Sequence, residues 1–560
     1  MRTRYIFLAL ILMLSGCDAF LAPDRDNVYD EEKLKKHAEL AEGVLLKAYG
    51  NLPGGINHTD VATDNAVSNA NANVYRKAAE GAWSSMDNPF SVWDNAYESI
   101  AYVNHFIFDV VDQVQWSADE WKNAQFKLRM VAEAKCLRAF YYIQLLEAHA
   151  GVGVSGKLLG VPMIMAPVDV NGGVSKGRDT YEECVRLILE DLKYGVEVLP
   201  VEYGMVPSDV EDAAAWEAVY GSRFSNRVNG MIARMLKARI LYYAATPAFN
   251  PENNAQRWRD AAEAAAEIIT LHGGIEALDN DRIMYWMNEG NPDILWRKNF
   301  QNSHNWETDN FPPSFFGNGR VNPSQNIVDA FPMASGIPID AAGSGYNPAS
   351  PYADRDPRLA AYVLFNGGDF KGAAINTMTD RNDGLGQIAQ RSTRTGYYMK
   401  KHMNQGVSLT TGAVVNQRHF ATLMRYTEAY LMYAEAACVA YGPDQKGPHS
   451  YSAREIIGAL RKTAGISQPD TWLAGISGKE GMLQQILLER RLELAFEGFR
   501  FWDLRRHMDM ASIKVSAKGT DDSGATSFVV EERKYEDWSI YGPIPYDECR
   551  KGLEQNKGWK

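Results

Sequence analysis

Residues 481–507, GMLQQILLERRLELAFEGFRFWDLRRH, constrain this chain more than any other stretch. Leu488, Leu492, Ala495 and Phe499 step by four, three and four, which places them on one face of a helix. Glu489, Glu493 and Glu497 form an i, i+4 row of like charge, which is repulsive in an isolated helix. Arg490, Arg500 and Arg505 are the cations near enough in sequence to offset that row. Gly498 is expected to break or bend the helix, since glycine costs about 1 kcal/mol inside one. Phe499, Phe501 and Trp502 follow at once. A surface helix would not carry so much arginine, glutamate and aromatic mass together. The stretch reads as a helix corner docked into the body, its ions paired at the edge of a core.

The remaining chain must supply that body. At 560 residues it is too long for one small core and implies one large domain or several tightly packed units. The net charge of −12, with no basic run, excludes an electrostatic nucleic-acid binder. Thirteen tryptophans are a generous number, and surplus tryptophan often sits at contact surfaces.

The N-terminus reads as a targeting segment. Arg2 and Arg4 precede an apolar run over 5–14 that is too short to span a bilayer. Leu14-Ser15-Gly16-Cys17 then matches the bacterial lipobox, in which cleavage leaves Cys17 as the acylated first residue. Residues 1–16 are the expected signal peptide, and 17–30 the acylated cysteine with a polar, acidic tether. Several acyl chains anchor stably where one would not. Cys136, Cys184, Cys438 and Cys549 remain, with no CxxC spacing. Free, buried thiols are the favoured reading, although an exported chain permits disulfides.

Helical periodicity covers 31–52, 90–111, a long segment after 117, the segment from 180 toward Pro200, 227–245, 257–272, 420–440 and 451–464. Ser117-Ala-Asp-Glu120 and Thr180-Tyr-Glu-Glu183 both fit the capping box. Amphipathic helices paired through short turns suggest an α-solenoid, although no strict 34-residue repeat is visible. Residues 53–89 read as a loop rich in Asn, Gly and Ala, holding Asp64, Asn65, Asn69 and Trp83. Between 274 and 419 helical periodicity fades and Asn, Gly, Pro and Ser dominate. So long a plain loop is improbable, and a second lobe of loops, short strands and short helices is expected. The chain thus divides into a helical part over 31–272, a loop-rich lobe over 273–419, and C-terminal helices and tail over 420–560 that pack back on the first part.

Motifs that would signal catalysis fail in context. Gly151-Val-Gly-Val-Ser-Gly156 fits G-x-G-x-x-G and, with Lys157, most of a P-loop. It follows a helix instead of a strand, and Leu158 stands where the magnesium-binding hydroxyl is needed. Gly173-Val-Ser-Lys-Gly177 fits G-x-S-x-G without a buried strand before it. The ten histidines form no HExxH, and His105 reads as a satisfied core residue. No cofactor is implied, and the sequence leaves bound metal open. Carboxylate pairs for glycoside hydrolysis are set by space, not by sequence.

The stretch ERRLELAFEGFRFWDLRRH resembles the C-terminal signature of the SusD/RagB family of Bacteroidota outer-membrane lipoproteins. WDNAYESIAYVNHFIFDVV, EAKCLRAFYYIQLLEAHAG with the later GVPMI, FPMASGIPI, Asp354-Arg-Asp-Pro-Arg358, TGYYMKKH and LMYAEAA resemble further family segments. The likeness covers nearly the whole mature chain, with Lys557 and Trp559 as departures at its end. The signature identifies the family and does not mark a ligand site. The resemblance implies a mainly α fold, a tetratricopeptide-like solenoid of helical pairs, four units in all, with a large irregular second lobe. It implies a surface-exposed, lipid-anchored, non-enzymatic nutrient binder acting as the hinged lid of a SusC-like TonB-dependent transporter. The ligand would be an oligosaccharide or, as in RagB-like members, a peptide. A surface glycoside hydrolase and a protein scaffold are the alternatives.

Glycan recognition suits aromatic platforms beside amide and carboxylate groups. Residues 299–320 hold five aromatics, among them Trp306, Phe315 and Phe316, with Asn305 and Asp309 nearby. Pro312 and Pro313 restrict the backbone, so the rings could be held before ligand arrives. Family ligand sites combine such a loop with an early one, which here would supply Asp64, Asn69 and Trp83.

Overall fold

In the computed structural model, residues 37–168, 176–378, 380–521 and 526–560 are described. Cys17, its tether and residues 173–175 of the G-x-S-x-G run lie outside them.

The main helices are α1 (Ala38–Gly50), α2 (Trp93–His105), α3 (Glu120–His149), α4 (Tyr181–Val198), α5 (Gly230–Ala245), α6 (Ala255–His272), α7 (Tyr426–Tyr441), α8 (Ala453–Thr463), α9 (Gly478–Glu493) and α10 (Arg500–Arg506). From α1 to α7 each packs on the next, and α7 carries both α8 and α9. The solenoid is interrupted after α6 and resumes at α7, which stacks on α6 as though nothing intervened. This is the mainly α, helical-pair architecture expected. Among the described residues no helix is long and apolar enough to cross a membrane.

Local chemistry explains the boundaries. Asn229 and Asn254 cap α5 and α6 through their side-chain oxygens, and Gly273 ends α6 at φ 108°. The Thr180 hydroxyl accepts from the Glu183 N–H at 3.2 Å and caps α4. The cap of α3 is Asp119, not Ser117: its carboxylate accepts from the Lys122 N–H at 2.8 Å. Asp and Ser serve equally well as caps, so the S-x-x-E pattern placed the helix start two residues early. A full capping box sits instead at Ser452 and Glu455, opening α8. α3 is buried along much of its length, and its ions are paired inside, Arg129 with Glu133 and Arg138 with Asp191. Cys136, Cys184 and Cys438 are free and buried, and Cys549 is free and half-buried. His105 is half-exposed and faces Asp109 at 3.0 Å.

The Gly151 segment is a hairpin, not a phosphate loop. Gly151–Val152 pairs with Leu158–Leu159, and the Val154 N–H donates to the Gln555 carbonyl at 3.1 Å. A Cβ on Gly151 would meet the Tyr541 side chain at 2.5 Å. The glycines let this hairpin close on the C-terminal tail.

The second lobe is tied by two-stranded antiparallel pairs. β1 (Ala66–Ser68) pairs with β4 (Val321–Pro323), β2 (Ile294–Arg297) with β6 (Thr422–Arg425), and β3 (Gln301–Ser303) with β5 (Gln417–His419). Its core gathers Tyr285, Trp286, Phe331, Tyr362, Tyr397 and Tyr398. It also takes Val61 and Ala66 from the early loop, and Leu492, Ala495 and Phe496 from the 481–507 corner.

That corner is buried as expected, but its counter-ions are not the neighbouring arginines. Glu489 meets Arg358 at 2.5 Å and Arg461 at 3.5 Å. Glu493 meets Arg282, Arg358 and Arg425, and Glu497 meets Lys401 and Arg425 at 2.7 and 2.8 Å. Arg490 turns to Asp503, Arg500 to Asp64, and Arg505 to the Ile540 carbonyl. The acid row points inward, so only cations from other segments can reach it. Burial alone would raise the Glu493 carboxyl, but Arg282, Arg358 and Arg425 outweigh it and hold the group well below the usual carboxylate range. Helix α9 ends before Gly498, which sits at φ 85° and allows the turn into α10.

Glu493→Ala should leave the buried Arg282 guanidinium without a carboxylate and take one from Arg358 and Arg425, lowering stability by about 3–5 kcal/mol, read as a fall in the denaturant midpoint. Glu536→Ala, on the surface, should stay within about 0.5 kcal/mol.

Candidate functional site

The early loop is bolted to the corner before it reaches the surface. The Asp60 carboxylate accepts the Gly498 N–H at 3.0 Å and the Asn65 amide at 2.7 Å. The Thr59 hydroxyl donates to the Gly498 carbonyl at 3.1 Å. A Cβ on Gly498 would lie 2.2 Å from the Asn57 side chain, so the approach needs glycine. Arg533 donates to the Thr63 and Ala66 carbonyls from the far side. The chain then enters β1, whose partner β4 leads straight out of the aromatic window.

At the end of β1 the Asn69 amide N–H groups donate to the Asn318, Gly319 and Ser392 carbonyls at 2.9, 2.8 and 3.3 Å. One buried side chain thus clamps three segments. Outside the clamp, the Asn71 N–H donates to the Gln390 side-chain oxygen at 3.2 Å, and Arg320 donates to the Gln390 carbonyl at 2.7 Å. Arg391 donates to the Gly317 carbonyl at 2.9 Å. The result is a rim of Asn71, Asp309, Phe316, Arg320, Gln390 and Arg391.

Phe316 is the rim's aromatic face. Pro313–Phe315 make one tight helical turn, with the Phe315 and Phe316 N–H groups donating to the Pro312 and Pro313 carbonyls. That turn leaves Phe316 at φ 66° with its side chain 54% exposed. A non-glycine residue in the left-handed region is strained, and the strain persists only where neighbours over-determine it. Here the Arg391 bond to Gly317 and the Asn69 bonds to Asn318 and Gly319 hold the next three residues.

The expected site residues divide. Asn305 and Asp309 are exposed on one short helix, Asn305–Asn310. Trp306, between them, is half-buried and lies edge-on to His419 at 5.0 Å between ring centres. Phe315 is half-buried against Phe370. Asn69 shapes the rim from beneath.

Asp64 and Trp83 are corrections. Asp64 is 4% exposed, and Arg500 and Arg491 occupy its carboxylate at 2.9 Å each. Burial pushes its carboxyl up, and the two guanidiniums reverse this and hold it at about 2. The acid fixes the loop to the corner and has nothing left for a ligand. The Trp83 ring packs on Phe90 and Trp559 at 4.9 and 4.8 Å, and its indole N–H donates to Asn88. It belongs to an aromatic cluster around Phe501, not to the rim. Gln390 and Arg391 escaped the sequence reading because the loop that carries them has no periodicity or motif. Among the described residues no group of three or more His, Cys, Asp or Glu could hold a metal ion.

The Asp64 pair carries a pH signature. Its depressed folded-state pKa contributes stability above the ordinary value of 3.8, and that stability is lost as pH falls toward 2. Asp64→Asn should lower the free energy of unfolding at pH 7 by about 2 kcal/mol, and its gap from the unsubstituted protein should close between about pH 4 and 2. A gap unchanged over that range would contradict the assignment.

Two family models match the chain. That of the SusD family covers residues 292–559, and one described as starch-binding associating with outer membrane covers 22–223. No curated protein matches. A SusD-like protein of Bacteroides fragilis shares the fold at TM-score 0.74 and 22% identity, over 95% of this chain and 99% of that one. A SusD-like carbohydrate binding protein of the same species reaches 0.71 and 19%, over 92% and 98%. Surface glycan-binding protein A of Bacteroides fluxus reaches 0.60 and 18%, over 94% and 100%. At these identities the structures speak for the fold alone. With the two models spanning the signature corner, the early loop and most of the solenoid, the chain belongs to the SusD/RagB family.

Proposed function

We propose that this chain is a non-catalytic glycan-binding lipoprotein of the cell surface, anchored to the outer membrane through Cys17, which delivers its ligand to a SusC-like TonB-dependent transporter and acts as its lid. The observation that carries the binding half is the rim: an exposed ring held in fixed orientation among amide, guanidinium and carboxylate groups. A pyranose offers an apolar face to stack on Phe316 and hydroxyls for Asn71, Gln390, Arg320 and Asp309. Two structural neighbours named as carbohydrate- and glycan-binding proteins support the same ligand class. Cleaving a glycosidic bond would need two flanking carboxylates. The rim offers Asp309, whereas nearby Asp383 is buried and accepts the Ser314 N–H. The membrane and transporter half rests on the LSGC boundary, the matched family descriptions and the extended face of a solenoid.

Affinity electrophoresis through a panel of polysaccharides should show retardation by at least one. Calorimetry on an oligosaccharide of that glycan should then show a loss of about tenfold for Phe316→Ala, since ring stacking is worth roughly 1–3 kcal/mol. Trp83→Ala should stay within about twofold, its ring being committed to packing. Unchanged affinity in a folded Phe316→Ala protein would move the site elsewhere.

The anchor and the partner are checked in cells. Cys17→Ala should shift the protein from the membrane to the soluble fraction. Mild detergent extraction of the unsubstituted protein should co-purify a large β-barrel. Membrane retention of the Cys17→Ala protein, or repeated recovery of the chain alone, would count against this half.

A further inference from the structure

Two guanidiniums of the rim carry charge that no acid answers. Arg320 donates through Nη1 to the Gln390 carbonyl at 2.7 Å, and Arg391 donates through Nε and Nη2 to the Gly317 carbonyl at 3.3 and 2.9 Å. A carbonyl fixes a guanidinium in place without neutralising it. Among the described residues neither arginine makes an ion pair. The cations beside them do: Arg76, which also donates to the Asn71 side chain, meets Glu80 and Glu531, and Arg394 meets Glu531. Burial raises the Asp309 carboxyl and the Arg320 charge opposes the rise, yet the two groups do not pair. Asp383 is buried and already accepts the Ser314 N–H. The donors left over are accessible. Both arginines are half-buried, and the Nε–Nη2 edge of Arg320 and the Nη1 of Arg391 have no partner among the described residues and stay open to solvent. The backbone that holds them is strained on both sides: Gln390 stands at φ 56° and Phe316 at φ 66°. Non-glycine residues in the left-handed region collect at ligand clamps, where their surroundings over-determine them.

We propose that the rim selects an acidic glycan, one whose sugar units carry a uronate carboxylate or a sulfate ester, met by the free guanidinium donors of Arg320 and Arg391 while the ring stacks on Phe316. The oxyanion is the shared chemistry of the two ligand types. An arginine offers it two parallel N–H groups, and such charge-assisted bonds are roughly twice as strong as bonds to a neutral hydroxyl. A neutral sugar would leave both charges unanswered. The stacking face and the cations fit one unit. The Arg391 guanidinium sits at the carbonyl of Gly317, the residue after Phe316, so it lies at the edge of the aromatic platform. A carboxylate or sulfate also projects from the edge of a sugar ring, not from the face that stacks. The chain as a whole carries −12, which would repel a polyanion at long range. At physiological salt that field is screened within about 8–10 Å, so contact charges at the rim decide.

The acidic character rests on the glycan-binding reading above, and the test separates the two. Affinity electrophoresis of the mature chain is run through polygalacturonate and alginate, which carry carboxylates alone, and through κ-carrageenan and dextran sulfate, which carry sulfates alone. Each is paired with its neutral form, carboxyl-reduced or desulfated. At least one acidic polymer should retard the protein, and which pair does so names the oxyanion. By calorimetry on oligosaccharides of that polymer, the neutral form should bind about tenfold more weakly. Raising NaCl from about 50 to about 300 mM should weaken the acidic form and leave the neutral one within about twofold. Arg320→Gln and Arg391→Gln should each weaken the acidic form about fivefold or more and leave the neutral form within about twofold. Arg186→Gln, on the exposed face of α4, changes net charge equally and should alter neither. If the rim variants do not fold, the acidic and neutral forms compared on the unsubstituted protein decide the matter. The proposal falls if the neutral form binds as tightly as the acidic one, or if folded rim variants bind the acidic form unchanged. Retention on neutral polysaccharides alone, lost with Phe316→Ala, removes the acidic assignment and leaves the glycan-binding reading standing. Retention on no polymer, acidic or neutral, removes both.

Discussion

Three glutamates one turn apart, turned inward, are the constraint on which the rest of the structure depends. Glu489, Glu493 and Glu497 are fully or nearly fully buried. Unpaired, each would carry a desolvation penalty of several kcal/mol. Their partners are Arg282 and Arg358 of the second lobe, Lys401 and Arg425 from the end of that lobe, and Arg461 of α8. Asp356, Asp293 and Asp470 then complete the fields of Arg358, Arg425 and Arg461. A buried ion pair is a poor source of stability against a well-packed apolar pair, but leaving one partner alone is strongly destabilising. The row therefore specifies geometry: segments far apart in sequence must all arrive for any one of them to be tolerated inside.

Two of the family-like segments are among those that arrive. Asp354-Arg-Asp-Pro-Arg358 supplies Arg358 and its partner Asp356, and TGYYMKKH supplies Lys401. FPMASGIPI offers the Gly336 carbonyl to Arg461, and LMYAEAA gives Glu435 to Arg506. Charge burial thus ties the first three stretches to the acid row or its cations, while Glu435 belongs to a separate buried cluster with Arg506, Asp503 and Arg490. Loops between them that meet no buried ion are free of that constraint, and it is on such loops that ligand surfaces of one fold are generally built.

The helical body was legible from spacing because amphipathic periodicity is a local property. What spacing could not give was the partner across the fold. An i, i+4 rule finds neighbours on one helix, so it offered Arg490, Arg500 and Arg505 to the acid row when those side chains leave the cylinder in other directions. The same blindness made Asp64 look like a ligand acid. A carboxylate in an Asn- and Gly-rich loop reads as exposed, and nothing local shows that Arg491 and Arg500 lie waiting more than four hundred residues later. Trp83 failed likewise, since Phe501 and Trp559 come from the other end of the chain. Phe316 and Asp309 were within reach because two adjacent prolines force their window into a tight turn, and a tight turn must put something outside. Gln390 and Arg391 had no such marker.

The corner and the rim are mechanically one device. Gly498 permits the turn that brings α10 under the early loop, and Asp60 and Asp64 fasten the loop to that turn. The loop becomes β1, β1 fixes β4, and Asn69 reaches past both to tie the residues after Phe316. Each step is a buried hydrogen bond or ion pair, so the ring at the end has little freedom to search for another orientation. Holding Phe316 at a positive φ carries a strain of order 1–3 kcal/mol, and the buried network sustains it. In the proposed binding mode, ligand need not order the ring, and the immobilisation cost of roughly 0.5–1.5 kcal/mol for such a side chain is met during folding instead. A weak stacking contact with a flat, hydrated ligand gains most from that transfer, because its gross interaction energy is small enough for an ordering cost of this size to decide whether it is retained.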